Sequence, residues 1–293
     1  MIFSTTDRPL VLKVRPDCEA FRPGKFESQG RVGNCPAAPV EGSVNDTPHP
    51  AQPIEWTLRI GVSMEFVGHG MLGFGHPPAW ASYFGVVGIG HPHAFSLMSP
   101  VGILDLALGI SVLVFPIRSV VFYMALWGLW TALLRPLAGE SVWEAVERAG
   151  NYGAPFALFL LLEPGDRKET LRRVLLLTTA LLLLGHGLLG LVVHKPIYGA
   201  QYAAIGLGGA NVEAGIGAFE CLLAAAVLVR PARKLLFFVV AWKLATEALS
   251  PIAGSAVWVF IEHGGSYAAP LALACLPGRY EAGASRLNRG AIA

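Results

Sequence analysis

Charge is scarce in this sequence. Only 14% of its 293 residues are Asp, Glu, Lys or Arg, whereas soluble domains carry about a quarter. The formal net charge is only +2, which excludes a strongly basic surface for nucleic acid. Because 54% of the residues are hydrophobic and the mean hydropathy is +0.53, a disordered chain is excluded as well. The composition is typical of a membrane protein that crosses the bilayer several times.

The sequence also lacks the motifs of several common enzyme classes. Its four cysteines form no C-x-x-C pair and no zinc-finger spacing, and no H-E-x-x-H occurs. It has no Walker A loop and no G-x-S-x-G nucleophile turn. We therefore predict no metal site, no dinucleotide-binding site and no soluble cofactor-dependent enzyme.

Long apolar segments dominate the chain from residue 56 onward. A helix needs about 20 mainly apolar residues to cross a bilayer. Segments near this length lie at 57–76, 99–115, 118–135, 143–162, 172–193, 211–229, 233–250 and 256–276. The intervening segment 77–98 is broken by Gly and Pro, which predicts an interfacial loop. The predicted fold class is therefore an all-α integral membrane protein with eight transmembrane helices.

The positive charges indicate how the chain is oriented. Residues 1–55 are rich in Pro, Gly and charge, which predicts a flexible N-terminal tail, and 279–293 are predicted to form a C-terminal tail. When the loops between eight spans alternate between two sides, 18 of the 22 Lys and Arg fall on the side of the tails. Lys and Arg concentrate in cytoplasmic loops. We predict a protein of a bacterial inner membrane with both termini in the cytoplasm.

The sequence contains an internal duplication. Residues 127–155 align without gaps onto residues 242–270, at an offset of 115, with 14 of 29 positions identical. This predicts two four-helix membrane units, at 56–165 and 166–278. Because each unit has an even number of spans, the units are predicted to be parallel repeats related by an axis along the membrane normal.

Short motifs recur in both units. Gly68-His69-Gly70 matches Gly185-His186-Gly187. In each unit an acidic residue and a Pro-x-Arg turn follow, which are Asp105 with Pro116-Ile-Arg118, and Glu220 with Pro231-Ala-Arg233. This arrangement resembles the DoxX-like family of four-helix membrane proteins, here duplicated. The resemblance implies a redox-associated membrane protein, linked to reactions such as thiosulfate:quinone oxidoreduction, with a quinone or lipid-like ligand and a redox partner subunit.

Ionisable residues inside membrane spans are costly, so each is a functional candidate. His186 and Glu220 are predicted to relay protons, with Glu262 as a second acid or base. The predicted catalytic residues are His186, Glu220, Glu262, Lys243 and Glu247. The predicted substrate-binding residues are Glu65, His69, Asp105, Glu147, Trp127, Trp242, Tyr152 and Tyr267, with Trp242 and Tyr267 as apolar walls. The span directions place these groups in the outer half of the membrane.

The two units differ in their polar residues. Lys243 and Glu247 are four residues apart on one helix face and are predicted to pair. Their counterparts in the first unit are Gly128 and Ala132, whereas Glu65 of the first unit corresponds to Leu182. Such divergence favours one specialised copy, and the sequence favours the second unit as the active one.

Other interpretations of the same residues remain open at this point. The His and carboxylate groups could serve only as interhelical hydrogen bonds in a structural subunit, since such bonds are worth about 0.6 kcal/mol on average. A small-solute transporter with an outward-facing polar cavity would use Lys243 and Glu247 as a gate. A haem between His69 and His186 is less favoured than a quinone, because the Gly-His-Gly context equally suits close helix packing.

Overall fold

The computed structural model describes residues 52–276, and every regular element within this range is helical. The first half contains α1 (Gln52–Phe74), α2 (Trp80–Val86), α3 (His93–Val114), α4 (Arg118–Leu137), α5 (Val142–Glu147) and α6 (Ala149–Leu161). The second half contains α7 (Lys168–Leu188, continued by a π-helical turn over Leu189–Val193), α8 (Pro196–Ala203), α9 (Ala210–Val229), α10 (Arg233–Ile252), α11 (Val257–Ile261) and α12 (Gly264–Cys275). The predicted tails lie outside the described residues, except that residues 52–55 already belong to α1.

Five helices are long and apolar enough to cross a membrane. They are α3, α4, α7 with its π-helical turn, α9 and α10. Apolar side chains cover their outer faces, as at Ile103, Ile110 and Leu222, whereas the charged Asp105 and Lys243 are each only 1% exposed. Soluble proteins have the opposite distribution of polar and apolar groups. The protein is therefore a helical integral membrane protein.

Three predicted segments have different boundaries in the structure. Segments 143–162 and 256–276 are not continuous helices, because each is divided into a short helix and a longer one. The helices break at Arg148 in the first half and at Glu262 and His263 in the second. Segment 77–98 is not a simple loop, since it contains α2 and the first residues of α3. Hydropathy is averaged over many residues, so it does not detect a break of one or two.

The two halves repeat the same order of elements and the same backbone turns. His76 and His194 both have left-handed backbone geometry, with φ of 49° and 51°. Gly88 and Gly206 have φ of 80° and 79°. Left-handed backbone is rare for residues other than glycine, so the shared histidine conformation is a specific similarity between the halves.

The first helix of each half packs against the end of the other half. Helix α1 lies against α11 and α12, and α7 lies against α5 and α6. At Gly68 an added Cβ atom would overlap the backbone of Glu262, and at Gly185 it would overlap the backbone of Glu147. The helix breaks therefore contact the Gly-His-Gly segments across the interface, and each half contributes residues to the surroundings of the other half's histidine.

Candidate functional site

A histidine, a carboxylate and a tryptophan from three helices meet in the first half. His69 Nδ1 of α1 lies 2.7 Å from Asp105 Oδ2 of α3. Trp127 Nε1 of α4 donates a hydrogen bond to Asp105 Oδ1 at 2.9 Å. The buried aspartate thus has a partner on each oxygen, as a carboxylate inside a bundle requires. We call these three residues the first triad.

The second half contains the same arrangement, which we call the second triad. His186 Nδ1 of α7 and Glu220 Oε2 of α9 form a short hydrogen bond. Trp242 Nε1 of α10 donates to Glu220 Oε1 at 2.9 Å. All six triad residues are among the candidates that the sequence predicts, and the structure brings them together in two sets of three. Their chemical roles stay predictions.

The bond to the carboxylate orients each imidazole ring. When Nδ1–H donates to the carboxylate, the neutral ring keeps Nε2 as an acceptor. The carboxylate also stabilises the ring when both nitrogens carry protons. The carboxylate therefore fixes the orientation of the ring, while the tryptophan holds the second carboxylate oxygen in place.

The two triads differ in access. The His69 side chain is 22% exposed, whereas the His186 side chain is 4% exposed. His69 stacks on Trp80 of α2, with ring centroids 4.6 Å apart, and His186 packs against Tyr198 of α8 at 4.4 Å. Tyr198 is buried, so the second histidine is enclosed and the first remains accessible.

A cavity of about 180 Å³ lies beside the first triad. Its walls are mostly aromatic and aliphatic, and the exposed Trp130 and Val87 among them show that the cavity reaches the protein surface. The other lining residues include His69, Trp80, Tyr83, Phe84, Trp127, Thr131, Arg135, Arg148 and Asn151. Predominantly apolar walls with a few polar groups are typical of small-molecule sites.

Tyr83 and Arg135 line the polar end of this cavity and are joined through Glu140. The Tyr83 hydroxyl donates a short hydrogen bond to Glu140, and Arg135 Nη1 lies 3.2 Å from the other Glu140 oxygen. The Arg135 guanidinium also lies over the Tyr83 ring, 5.4 Å from its centroid. Burial of the phenol raises the pKa of Tyr83 to about 12, so Tyr83 stays neutral at physiological pH.

Glu65 lies one helical turn before His69 and is buried. Its Oε2 atom has no hydrogen-bond partner among the described residues. A pocket of about 10 Å³ connects Glu65 with His69 and Asp105, which is about the space that one water molecule needs. Its charged neighbours include Arg148 and Glu262. Glu65 thus adjoins the first triad on the side away from Trp80.

Two predicted substrate contacts have a different place in the structure. The Tyr152 hydroxyl donates to the Ala145 carbonyl at 3.4 Å, and the Tyr267 hydroxyl donates to the Phe260 carbonyl at 2.9 Å. Each bond joins the two helices on either side of a break. Neither tyrosine lines the cavity beside His69, so they brace the breaks instead of forming its walls.

The remaining predicted residues surround the contact between the halves. Lys243 Nζ lies 2.6 Å from Glu247 Oε1, which agrees with the predicted pair. Glu147 and Glu247 line a second cavity of about 280 Å³ with His263. Glu262 lines the same cavity and lies 3.8 Å from Arg148 Nη2. These residues are assembled from both halves.

The glycine spacing around the two histidines also matches G-x-G-x-x-G, at positions 68, 70 and 73 and at 185, 187 and 190. A dinucleotide loop would place this spacing between a strand and a helix. Here the first run lies inside α1, and the second lies inside α7 and its π-helical turn. A Cβ at Gly70 would lie 2.7 Å from the Gly102 carbonyl, and one at Gly187 would lie 2.6 Å from the Gly217 carbonyl. The glycines therefore permit close helix packing.

No protein-family model, curated protein or solved structure matches this chain. The functional argument therefore depends on the geometry of the site.

Several residues of the cavity are absent from the predicted set, chiefly Trp80 and Tyr83 of α2. A signal for them exists in the sequence. Residues 80–90 align with 198–208 at an offset of 118, and the alignment pairs Trp80 with Tyr198 and Phe84 with Tyr202. The duplication thus extends into the segment that was predicted to be a loop, and it marks aromatic positions beside each histidine.

Proposed function

We propose that this membrane protein binds the ring of a quinone or a similar lipid-like molecule in the cavity beside His69. The observation that carries this proposal is the accessible first triad at the end of an aromatic cavity. Trp80 and Trp127 offer flat apolar walls, and His69 offers a hydrogen-bonding nitrogen between them. A cavity of about 180 Å³ suits a single ring better than a whole drug-sized ligand, for which pockets of about 300–1,000 Å³ are usual.

We also propose which helices cross the membrane. Two parallel units of four spans require α1 and the broken helices α5–α6 and α11–α12 to cross the bilayer together with the five apolar helices. Broken helices are tolerated at membrane depth where protein or a cavity surrounds the break. The left-handed histidines, the paired triads and the reciprocal packing of α1 and α7 support two equivalent units.

The protein would take part in redox chemistry if His69 exchanges protons with the bound quinone. Reduction of a quinone to a quinol takes up two electrons and two protons. His69 would donate one proton to a quinone oxygen, with Asp105 stabilising the charged ring beforehand, and water entering through the open side of the cavity would supply the second proton. Electrons would come from a redox partner subunit, as the resemblance to DoxX-like proteins implies. The sequence favours the second unit for this role, whereas the access to His69 favours the first.

Quinone binding to the purified protein tests the proposal. The protein is placed in nanodiscs, and a short-chain ubiquinone is titrated while tryptophan fluorescence is recorded. We expect saturable quenching, because three tryptophans line the cavity. His69→Gln is expected to weaken binding about tenfold, which corresponds to the loss of roughly one hydrogen bond.

His186→Gln is the matched control, because it alters the enclosed histidine of the second triad. It is expected to leave quinone affinity unchanged in a folded protein. Mass spectrometry of lipids that copurify with the wild-type protein provides an independent measurement. Quenching that only follows quinone partition into the nanodisc, and is equal in wild type and His69→Gln, would contradict the proposal.

A further inference from the structure

We propose that Glu147, Glu247 and His263 form a binding site for a divalent transition metal such as Zn²⁺ where the two halves meet. One ligand atom from each residue lies within 4.8 Å of the others. His263 Nε2 is 3.8 Å from Glu147 Oε1 and 3.6 Å from Glu247 Oε2. All three side chains are buried and line the cavity of about 280 Å³.

The histidine is oriented as a metal ligand. Its Nδ1 lies 2.6 Å from the carbonyl oxygen of Val259, in the preceding turn. A ring that donates Nδ1–H to a carbonyl presents the lone pair of Nε2 on its opposite side, which is the usual arrangement around metal-bound histidines. Here that side faces two carboxylates. A metal ion between the ring nitrogen and the two carboxylates would be coordinated by all three groups.

Glu147 supplies an independent indication of a missing partner. It is only 7% exposed, and its Oε2 atom has no hydrogen-bond partner among the described residues. A buried carboxylate oxygen without a donor is costly. A metal ion coordinated by Glu147 would satisfy this oxygen or its neighbour and offset that cost.

Three cationic side chains near the proposed site each have a carboxylate partner. Lys243 Nζ pairs with Glu247 Oε1, which leaves Oε2 for a metal. Lys195 Nζ lies 2.7 Å from Glu144 Oε2, and Arg148 Nη2 lies 3.8 Å from Glu262 Oε1.

The duplicated half offers an internal comparison. At the offset of 115, Glu147 corresponds to Glu262, His263 to Arg148, and Glu247 to Ala132. At the equivalent place, also between the halves, Arg148 provides a permanent positive charge next to Glu262. In the proposed metal site the arginine is replaced by a histidine, which carries no fixed charge, and a second carboxylate is added. A histidine and an additional carboxylate, in place of a permanently charged arginine, would favour the binding of a metal cation from solution.

The two histidine–carboxylate distances suit a first-row metal after a small adjustment. Ligand atoms about 2.1 Å from a tetrahedral zinc ion are about 3.4 Å apart, so the two histidine contacts need to shorten by less than about half an ångström. One imidazole and two carboxylates form a donor set that zinc and neighbouring metals accept. The adjoining cavity leaves space for water or another ligand at the fourth position.

Zinc binding to the full-length protein tests this proposal. The protein is purified in detergent, treated with EDTA, desalted and titrated with Zn²⁺ by calorimetry, and the bound zinc is counted by mass spectrometry. We expect about one tightly bound ion per chain. Glu147→Gln preserves the shape of the side chain and is expected to weaken binding at least about tenfold.

Glu213→Gln is the matched control, since it alters another buried glutamate with an unpartnered oxygen that does not line this cavity, and it is expected to leave zinc affinity within about twofold of wild type. His263→Gln provides a second variant if Glu147→Gln fails to fold. X-ray absorption at the zinc edge of the wild-type protein is expected to show one imidazole together with oxygen donors. Wild-type protein that binds no zinc at micromolar concentrations, equal affinity in folded Glu147→Gln, or a spectrum with two imidazoles or with sulfur would overturn the proposal.

Discussion

The two triads contain the same hydrogen bonds in different surroundings. In the first half, His69 borders a cavity that reaches the protein surface. In the second half, His186 is enclosed by Tyr198, and the neighbouring charged groups are the buried Lys243 and Glu247. The hydrogen bonds are therefore common to both halves, whereas the access to the histidine and the charges around it differ.

The largest expected effect comes from the lysine that only the second half has. Lys243→Ala leaves Glu247 as a buried carboxylate without its 2.6 Å partner. Breaking a buried ion pair by removing one member costs about 3–5 kcal/mol. We expect a loss of that order in the free energy of unfolding, measured with the purified protein in EDTA by denaturant titration. Lys243→Met combined with Glu247→Gln should recover most of the loss, and failure to recover it would show that Lys243 acts through other contacts.

A smaller effect, equal in both halves, is expected at the glycines that face the helix breaks. Gly68→Ala and Gly185→Ala each place a methyl group against the backbone of the other half. Overpacking of this kind typically costs about 1–3 kcal/mol, and thermal unfolding of each variant measures it. Gly215→Ala is the control, because nothing lies within 4 Å of its added Cβ. Sensitivity at only one of the two glycines would contradict the reciprocal packing.

The smallest expected effect is the pH dependence of stability that Tyr83 contributes. Its counterpart in the second half, Gln201, has no ionisable group. Partial burial raises the pKa of the Tyr83 phenol to about 12, above the value of about 10 of an exposed tyrosine. The folded protein thus holds this proton more tightly than the unfolded chain does, and the associated stability is lost as pH rises from about 10 through about 12. Difference absorbance of wild type against Tyr83→Phe should show no ionisation of this residue below about pH 11. Ionisation near pH 10 would mean that Tyr83 is in contact with water.

The sequence alone predicted the features that one pattern along the chain reveals. Apolar runs predict the membrane class, and the offset of 115 pairs Asp105 with Glu220 and Trp127 with Trp242. Because buried ionisable groups are costly, His69 and His186 could be chosen without any knowledge of their partners. The structure adds that each histidine bonds the carboxylate of its own half.

The features that the sequence did not predict depend on contacts between segments that are far apart in the chain. Glu147, Glu247 and His263 lie in three elements of two halves, so no spacing along the chain identifies them as a group. The break at Arg148 interrupts a segment whose average hydropathy is high, and the packing of α1 on α12 depends on side-chain shape. Trp80 and Tyr83 could have been predicted from the sequence, because the alignment at the offset of 118 includes both residues.

The reciprocal packing of α1 and α7 also constrains how the protein is made. Gly68 in α1 meets the backbone of Glu262, which is synthesised about 190 residues later. At the ribosomal rate of about 5–20 residues per second, α1 exists for roughly 10–40 seconds before its final neighbour has been synthesised. The packing of α1 is therefore complete only after α11 and α12 have been synthesised.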